Sequence, residues 1–134
     1  MGKFYHRRIM FRNDELICLD CGAKIDQFLS SDKECVHPTT LLEVLSKYVR
    51  ISVYNCNAFL VAELPLTPLG SVSVLVQAFD PDPSIEDELS EMLEQEVESQ
   101  GGGLTMSGYY DLYNSQVIRK IVRWIEEGKL KLAL

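Results

Sequence analysis

The sequence predicts an α+β fold, built from a small antiparallel sheet of about three or four strands, three helices and an N-terminal hairpin that ends in paired cysteines. Three observations carry this. Short β-branched and aromatic runs recur between residues 50 and 79, amphipathic helical stripes with start and stop signals occur three times, and Cys18-x2-Cys21 follows a hairpin pattern. With 134 residues the chain is the size of one domain that can bury a sizeable core. Its 46% apolar and 25% charged content argues against disorder as the overall state.

Arg8 to Ile25 reads as a hairpin: "RIMF", a turn at Arg12-Asn13-Asp14, then "ELICL" running into the cysteines. "HPTTLLEVLSKYV" is a helix start, with Thr40 and Glu43 spaced as a capping box and Leu41, Leu42, Leu45 and Val49 available for one apolar face. "RISVYN" and "AFLVAEL" read as strands joined at Cys56-Asn57. "SVSVLVQAF" reads as a third, alternating Val72, Val74, Val76 and Ala78 against Ser71, Ser73 and Gln77. Between them "PLTPLGS" is a loop, because Pro65 and Pro68 cannot donate to a ladder. A three-stranded meander is the economical arrangement.

The second helix is marked at both ends. Ser84 can cap it, Asp87 sits at the capping-box spacing, and the glycines from Gly101 stop it. Ile85, Leu89, Met92, Leu93 and Val97 form its apolar stripe. The third helix begins near Asn114 or Ser115 with Val117, Ile118, Ile121, Val122 and Ile125 inward, and Gly128 suits the position just past its end. "KLKLAL" then alternates Lys129 and Lys131 with leucines, as an edge strand protected by lysine does and as a possible extension of the meander.

The chemistry concentrates in residues 18–37. Zinc takes four tetrahedral ligands from thiolate and imidazole, and Cys-x2-Cys lets one tight turn aim two thiolates at a single ion. Gly22 supplies the backbone freedom such a turn needs. Cys18, Cys21, Cys35 and His37 are therefore the expected ligands of a structural Zn2+, with Cys56 or His6 as substitutes for His37. The stretch resembles a short zinc-ribbon or treble-clef knuckle over about 20 of the 134 residues, with Cys-x-His where that pattern has a second Cys-x2-Cys. Four protein ligands leave no place for an activated water, so the resemblance implies a stabilising metal. A disulfide is disfavoured because no secretion signal is visible, and a thioredoxin-like use because no helix pattern opens at Cys18. Residues 1–38 are then a zinc-knuckle element and 39–134 an α+β body, in one compact unit overall.

The net charge of −7 is unevenly placed. Nine of the 20 acids lie between Asp80 and Glu98 with no Lys or Arg among them, leaving eleven to face all 13 basic residues. Helical i, i+4 pairs cannot neutralise this segment internally. Glu88, Glu91, Glu94 and Glu98 are therefore candidate contacts to a protein partner with a basic surface.

The basic N-terminus, with Lys3, His6, Arg7, Arg8 and Arg12, invites a second reading as a zinc-knuckle regulator that binds nucleic acid, helped by Arg119 and Arg123. The acidic segment opposes it by repelling a polyanion. No phosphate loop, nucleophile elbow or HExxH pattern occurs, so an enzyme is not expected. Tyr109, Tyr110, Tyr113, Asp111 and Asn114 could line a ligand pocket or form an interface. No apolar run reaches the roughly 20 residues of a membrane helix, no signal core is visible, and His6 spoils the myristoylation pattern of the Met-Gly start, so a soluble cytoplasmic protein is expected. The sum is a small non-catalytic, zinc-stabilised interaction or regulatory protein. By analogy it is of the kind that viruses and mobile elements use as inhibitors, and it has an open sheet edge through which two copies could pair.

Overall fold

The computed structural model describes residues 4–26, 29–65 and 74–133, and for residues 74–77 the backbone alone. The chain divides into two compact units, Met1–Tyr48 with Glu63–Val76, and Val49–Ala62 with Gln77–Leu134. The architecture is α+β, with three helices and antiparallel sheets of three, two and five strands.

The first unit contains β1 (Phe4–His6), β2 (Ile9–Arg12), β3 (Glu15–Cys18), β4 (Ser30–Ser31), β5 (Pro38–Thr39) and α1 (Leu41–Tyr48). β2 and β3 form the expected hairpin, in register Ile9↔Cys18 to Arg12↔Glu15. Its two-residue turn places Asn13 and Asp14 at φ 51° and 64°, a left-handed conformation that these two residue types tolerate best after glycine. β1 lies between β4 and β5, pairing Tyr5 with both Ser30 and Thr39. Ile9, Met10, Leu29, Val44 and Leu45 fill the interior. Tyr48 fastens the end of α1 to the bend between β1 and β2: its hydroxyl donates to the Arg7 carbonyl and accepts from Ile9 N–H, both at 2.8 Å.

Thr40 caps α1 as expected, its Oγ1 accepting from Glu43 N–H at 3.2 Å, while the Glu43 carboxylate takes the Thr39 hydroxyl instead of closing the box. The buried face is Leu41, Val44, Leu45 and Tyr48, not the predicted set. Leu42 is exposed, and Val49 already belongs to a strand. Helix α1, which the sequence reading assigns to a body beginning at residue 39, falls in the first unit.

The remaining elements are β6 (Val49–Tyr54), β7 (Asn57–Pro65), β8 (Val74–Pro81), α2 (Glu86–Ser99), β9 (Gly108–Asp111), α3 (Ser115–Glu126) and β10 (Leu130–Ala133). The sheet runs β10-β8-β7-β6-β9, so the meander is present and β10 extends it. Within this sheet, β9 is the strand the sequence reading lacks; "GYYD" is too short to show alternation. β6 and β7 turn at Asn55 and Cys56, again at positive φ. In β8, Phe79 is buried and Ala78 exposed, which reverses the expected face at that end; Val72 lies outside the described residues. The reason is the β10 partner, whose buried Leu132 sits opposite Phe79.

α2 buries Ile85, Leu89, Leu93 and Val97 much as predicted. Its start differs: Ser84 does not cap. The Asp82 carboxylate accepts from Ser84 N–H at 2.9 Å and the Asp82 carbonyl from Ile85 N–H at 3.0 Å, so Ser84 is spent in a turn before the helix. α3 is capped by Asn114, which accepts from Gln116 N–H at 2.9 Å. It ends at Gly128, φ 75°, where Gly128 and Lys129 N–H return to the carbonyls of Ile125 and Trp124.

Candidate metal centre

His6, Cys18, Cys21 and Cys35 bring one ligand atom each to a common point, all within 4.8 Å of one another, and this group could hold a metal ion. Four segments deliver them. His6 ends β1, Cys18 ends β3, Cys21 closes the turn that follows, and Cys35 lies in the loop between β4 and β5. The turn is tight: Gly22 N–H donates to the Cys18 carbonyl at 2.8 Å and Gly22 adopts φ 74°. Leu19 N–H donates to the Arg8 carbonyl at 2.8 Å, which fixes the turn beside the residues that follow His6.

The cysteines are free thiols. Cys18 Sγ lies 3.8 Å from Cys35 Sγ, and Cys21 Sγ lies 3.4 Å from His6 Nδ1. The other imidazole nitrogen, Nε2, is 2.7 Å from Ser31 Oγ. Ser31 donates its single hydroxyl proton to the Lys33 carbonyl and accepts from Lys33 N–H. Ser31 Oγ is thus placed to accept from Nε2, and with the imidazole proton there the Nδ1 lone pair would face the sulfurs. That is the tautomer a metal-bound histidine needs.

Burial lowers the His6 pKa, outweighing the Lys33 backbone and the Asp20 charge, so the ring is held neutral. Burial also pushes the Cys18 thiol up to about 11, against the pull of the Cys21 and Asp20 backbone N–H groups. Such a thiol stays protonated until a cation compensates its charge. Asp20, inside the turn, has a buried side chain that accepts from Arg8 at 3.0 Å and Arg7 at 3.4 Å. Burial alone would raise its carboxyl; those two guanidinium groups outweigh this and hold it below the ordinary carboxylate value. Asp20 thereby ties the turn to the two residues that follow His6.

Of the predicted ligands, Cys18, Cys21 and Cys35 come together. His37 does not join them, being exposed on the bend that enters β5. Residues i and i+2 share a face only on extended chain, and the chain bends at 36–37. His6, named as a substitute, takes the fourth place because β1 is paired on both sides. The aromatic run Phe4-Tyr5-His6 was the available signal for that strand. Cys56 sits exposed in the β6–β7 turn.

The acids of α2 are less uniform than their sequence suggests. Glu91 and Glu98 are exposed and Glu94 half-buried, but Glu88 pairs with Lys120 of α3, and Glu96 is 4% exposed. Glu96 Oε1 accepts from Gln100 Nε2 at 3.2 Å, while Oε2 is, among the described residues, a buried oxygen without a partner. Gln100 also donates to the Asp111 carbonyl at 2.6 Å, Arg50 pairs with the Asp111 carboxylate at 2.7 Å, and Tyr113 donates to it at 2.9 Å. Tyr109, Tyr110 and Asp111 are thus part of a sheet edge braced against the end of α2, and Asn114 is a helix cap.

No family model matches this chain, and neither a curated protein nor a solved structure matches it. No helix among the described residues is long and apolar enough to cross a membrane.

Proposed function

We propose that this is a small non-catalytic interaction protein whose N-terminal unit is stapled by a structural zinc ion on His6, Cys18, Cys21 and Cys35, and whose acidic helix α2 meets a partner with a basic surface. The observation that carries the zinc reading is the spacing of the donors. Bond lengths of about 2.3 Å to sulfur and 2.0 Å to nitrogen in a tetrahedron give a sulfur–sulfur edge of about 3.8 Å and a sulfur–nitrogen edge of about 3.5 Å. The Cys18–Cys35 and Cys21–His6 edges of 3.8 and 3.4 Å match these, and the other donor pairs lie within 4.8 Å. Three thiolates and one imidazole favour zinc over hard cations, which take oxygen ligands. Bound there, the ion would supply cross-linking: it would join β1, β3 and the β4–β5 loop, segments whose own strands are two to four residues long. Four protein ligands close the shell, which supports a structural and not a catalytic metal.

The partner reading rests on exposed Glu91 and Glu98 and half-buried Glu94, which form no ion pair among the described residues, whereas Glu88 pairs with Lys120. Two experiments test the two halves. Chelation with phenanthroline is expected to lower the thermal midpoint by about ten degrees or more, and an unchanged midpoint would refute the staple. Glu91→Lys with Glu94→Lys is expected to abolish salt-sensitive binding of the basic peptide hexa-arginine amide; undiminished binding would refute the acidic helix as the contact.

A further inference from the structure

Two edge strands bound the five-stranded sheet, and they are built differently. β10 carries exposed Lys131 and follows exposed Lys129, the charges with which natural sheets keep an edge from pairing with another chain. β9 has no such guard. Its four residues, Gly108–Asp111, run antiparallel to β6 without a bulge and include neither lysine nor proline, and among the described residues no strand pairs with its outer side. The strand is also braced. The Arg50 guanidinium at 2.7 Å and the Tyr113 hydroxyl at 2.9 Å both engage the Asp111 carboxylate, and the Tyr110 ring lies against Gly102, where a Cβ would collide with it.

A row of rings ends at this edge. The register sets Ser52 of β6 opposite both Phe59 on β7 and Tyr109 on β9, so the two rings flank one small, buried residue on the same sheet face. Phe59 is 37% exposed and Tyr109 57%. Tyr54, two residues along from Ser52 on that face, is exposed, as are Met106 and Tyr113 on either side of β9. Five of the eight exposed large apolar side chains among the described residues thus belong to β6, β7, β9 and the residues flanking β9.

We infer that β9 is the contact through which two copies of this chain pair, antiparallel and about a two-fold axis, into one continuous sheet. The charges select the occupant. From Met106 to Asn114 the one charged side chain is that of Asp111, and Arg50 balances it. A polyanion and a basic peptide alike find no uncompensated charge on this segment, whereas a second copy brings the same uncharged, tyrosine-rich edge and meets no repulsion there. Elsewhere the net charge of −7 opposes self-association. With Tyr109 on the axis, each Tyr109 stands opposite its own copy, and the row of Phe59, Ser52 and Tyr109 continues into the second chain as its two-fold image. This contact is separate from the acidic face of α2 and does not depend on the basic-partner reading.

The test is sedimentation velocity of the full, reduced chain from about 5 to 500 μM, with amide hydrogen exchange read at both ends of that range. A weak dimer is expected, in keeping with a four-residue contact, together with slower exchange at Gly108–Asp111 at the high concentration. Tyr109→Lys copies the guard that Lys131 gives β10; it is expected to weaken dimerisation about tenfold or more and to abolish the concentration dependence of exchange. Phe59→Ser, one strand removed from the edge, is expected to leave the dimer in place. A monomer throughout, with exchange at β9 independent of concentration, would overturn the inference. So would a dimer that Tyr109→Lys leaves intact, and a dimer lost in Phe59→Ser without protection of the β9 amides in the wild type would assign the contact to the sheet face instead. The wild-type exchange data decide the point even if Tyr109→Lys does not fold.

Discussion

Ser31 Oγ stands 2.7 Å from His6 Nε2, where it can accept the proton that must sit there for Nδ1 to bind a metal. Outer-shell partners of this kind hold a ligand's orientation and basicity. Ser31→Ala is therefore expected to weaken zinc affinity about tenfold, read by competition with a chromogenic chelator, with the fold retained. Cys18 carries a pH dependence. In the metal-free protein its pKa is raised from 9.0 to about 11 by burial, so the folded state favours the protonated thiol. That contribution is full below the unfolded value near 9.0 and is lost as pH rises through about 11. Chelator-treated protein should lose thermal stability across that interval, and Cys18→Ala should flatten the profile. With zinc bound the sign reverses, because the thiolate is the bound form and acid competes for it.

Helix α2 holds an acid where its stripe calls for an apolar residue. Glu96 lies on the buried side beside Leu93 and Val97, with one carboxylate oxygen bonded to Gln100 and the other without a partner among the described residues. Replacing a half-satisfied buried polar group by an apolar one of similar length is neutral to stabilising, so Glu96→Met should raise stability by about 1 kcal/mol in urea unfolding. Gln100 keeps its bond to the Asp111 carbonyl. Conversely Asn114→Ala should cost about 1 kcal/mol, because it removes the cap of α3. These elements also show what sequence can reveal. α3, the β2–β3 hairpin and β6–β7 were legible because their periodicity and turn residues are local. β1, β4, β5 and β9 were not, since strands of two to four residues are defined by partners distant in sequence. The same holds for the site: the Cys-x2-Cys turn was readable, and the choice of His6 over His37 was not, because it depends on the pairing of β1 and on the bend at 36–37.

At the scale of the molecule, the His/Cys cluster that could hold a metal sits in the unit that contains the shortest strands, and the acidic helix lies in the unit that holds β6, β9 and β10. Small sheets of such strands are marginal alone, which is the setting in which a bound ion contributes most to folding. The central claim is that His6 completes a zinc site with three cysteines. Its most direct test is the metal content of protein purified without chelator, compared between wild type, His6→Ala and His37→Ala. The account predicts a single zinc ion per chain in the wild type and in His37→Ala, and its loss in His6→Ala. Folded, reduced wild-type protein without zinc, or loss of zinc in His37→Ala with retention in His6→Ala, would contradict it.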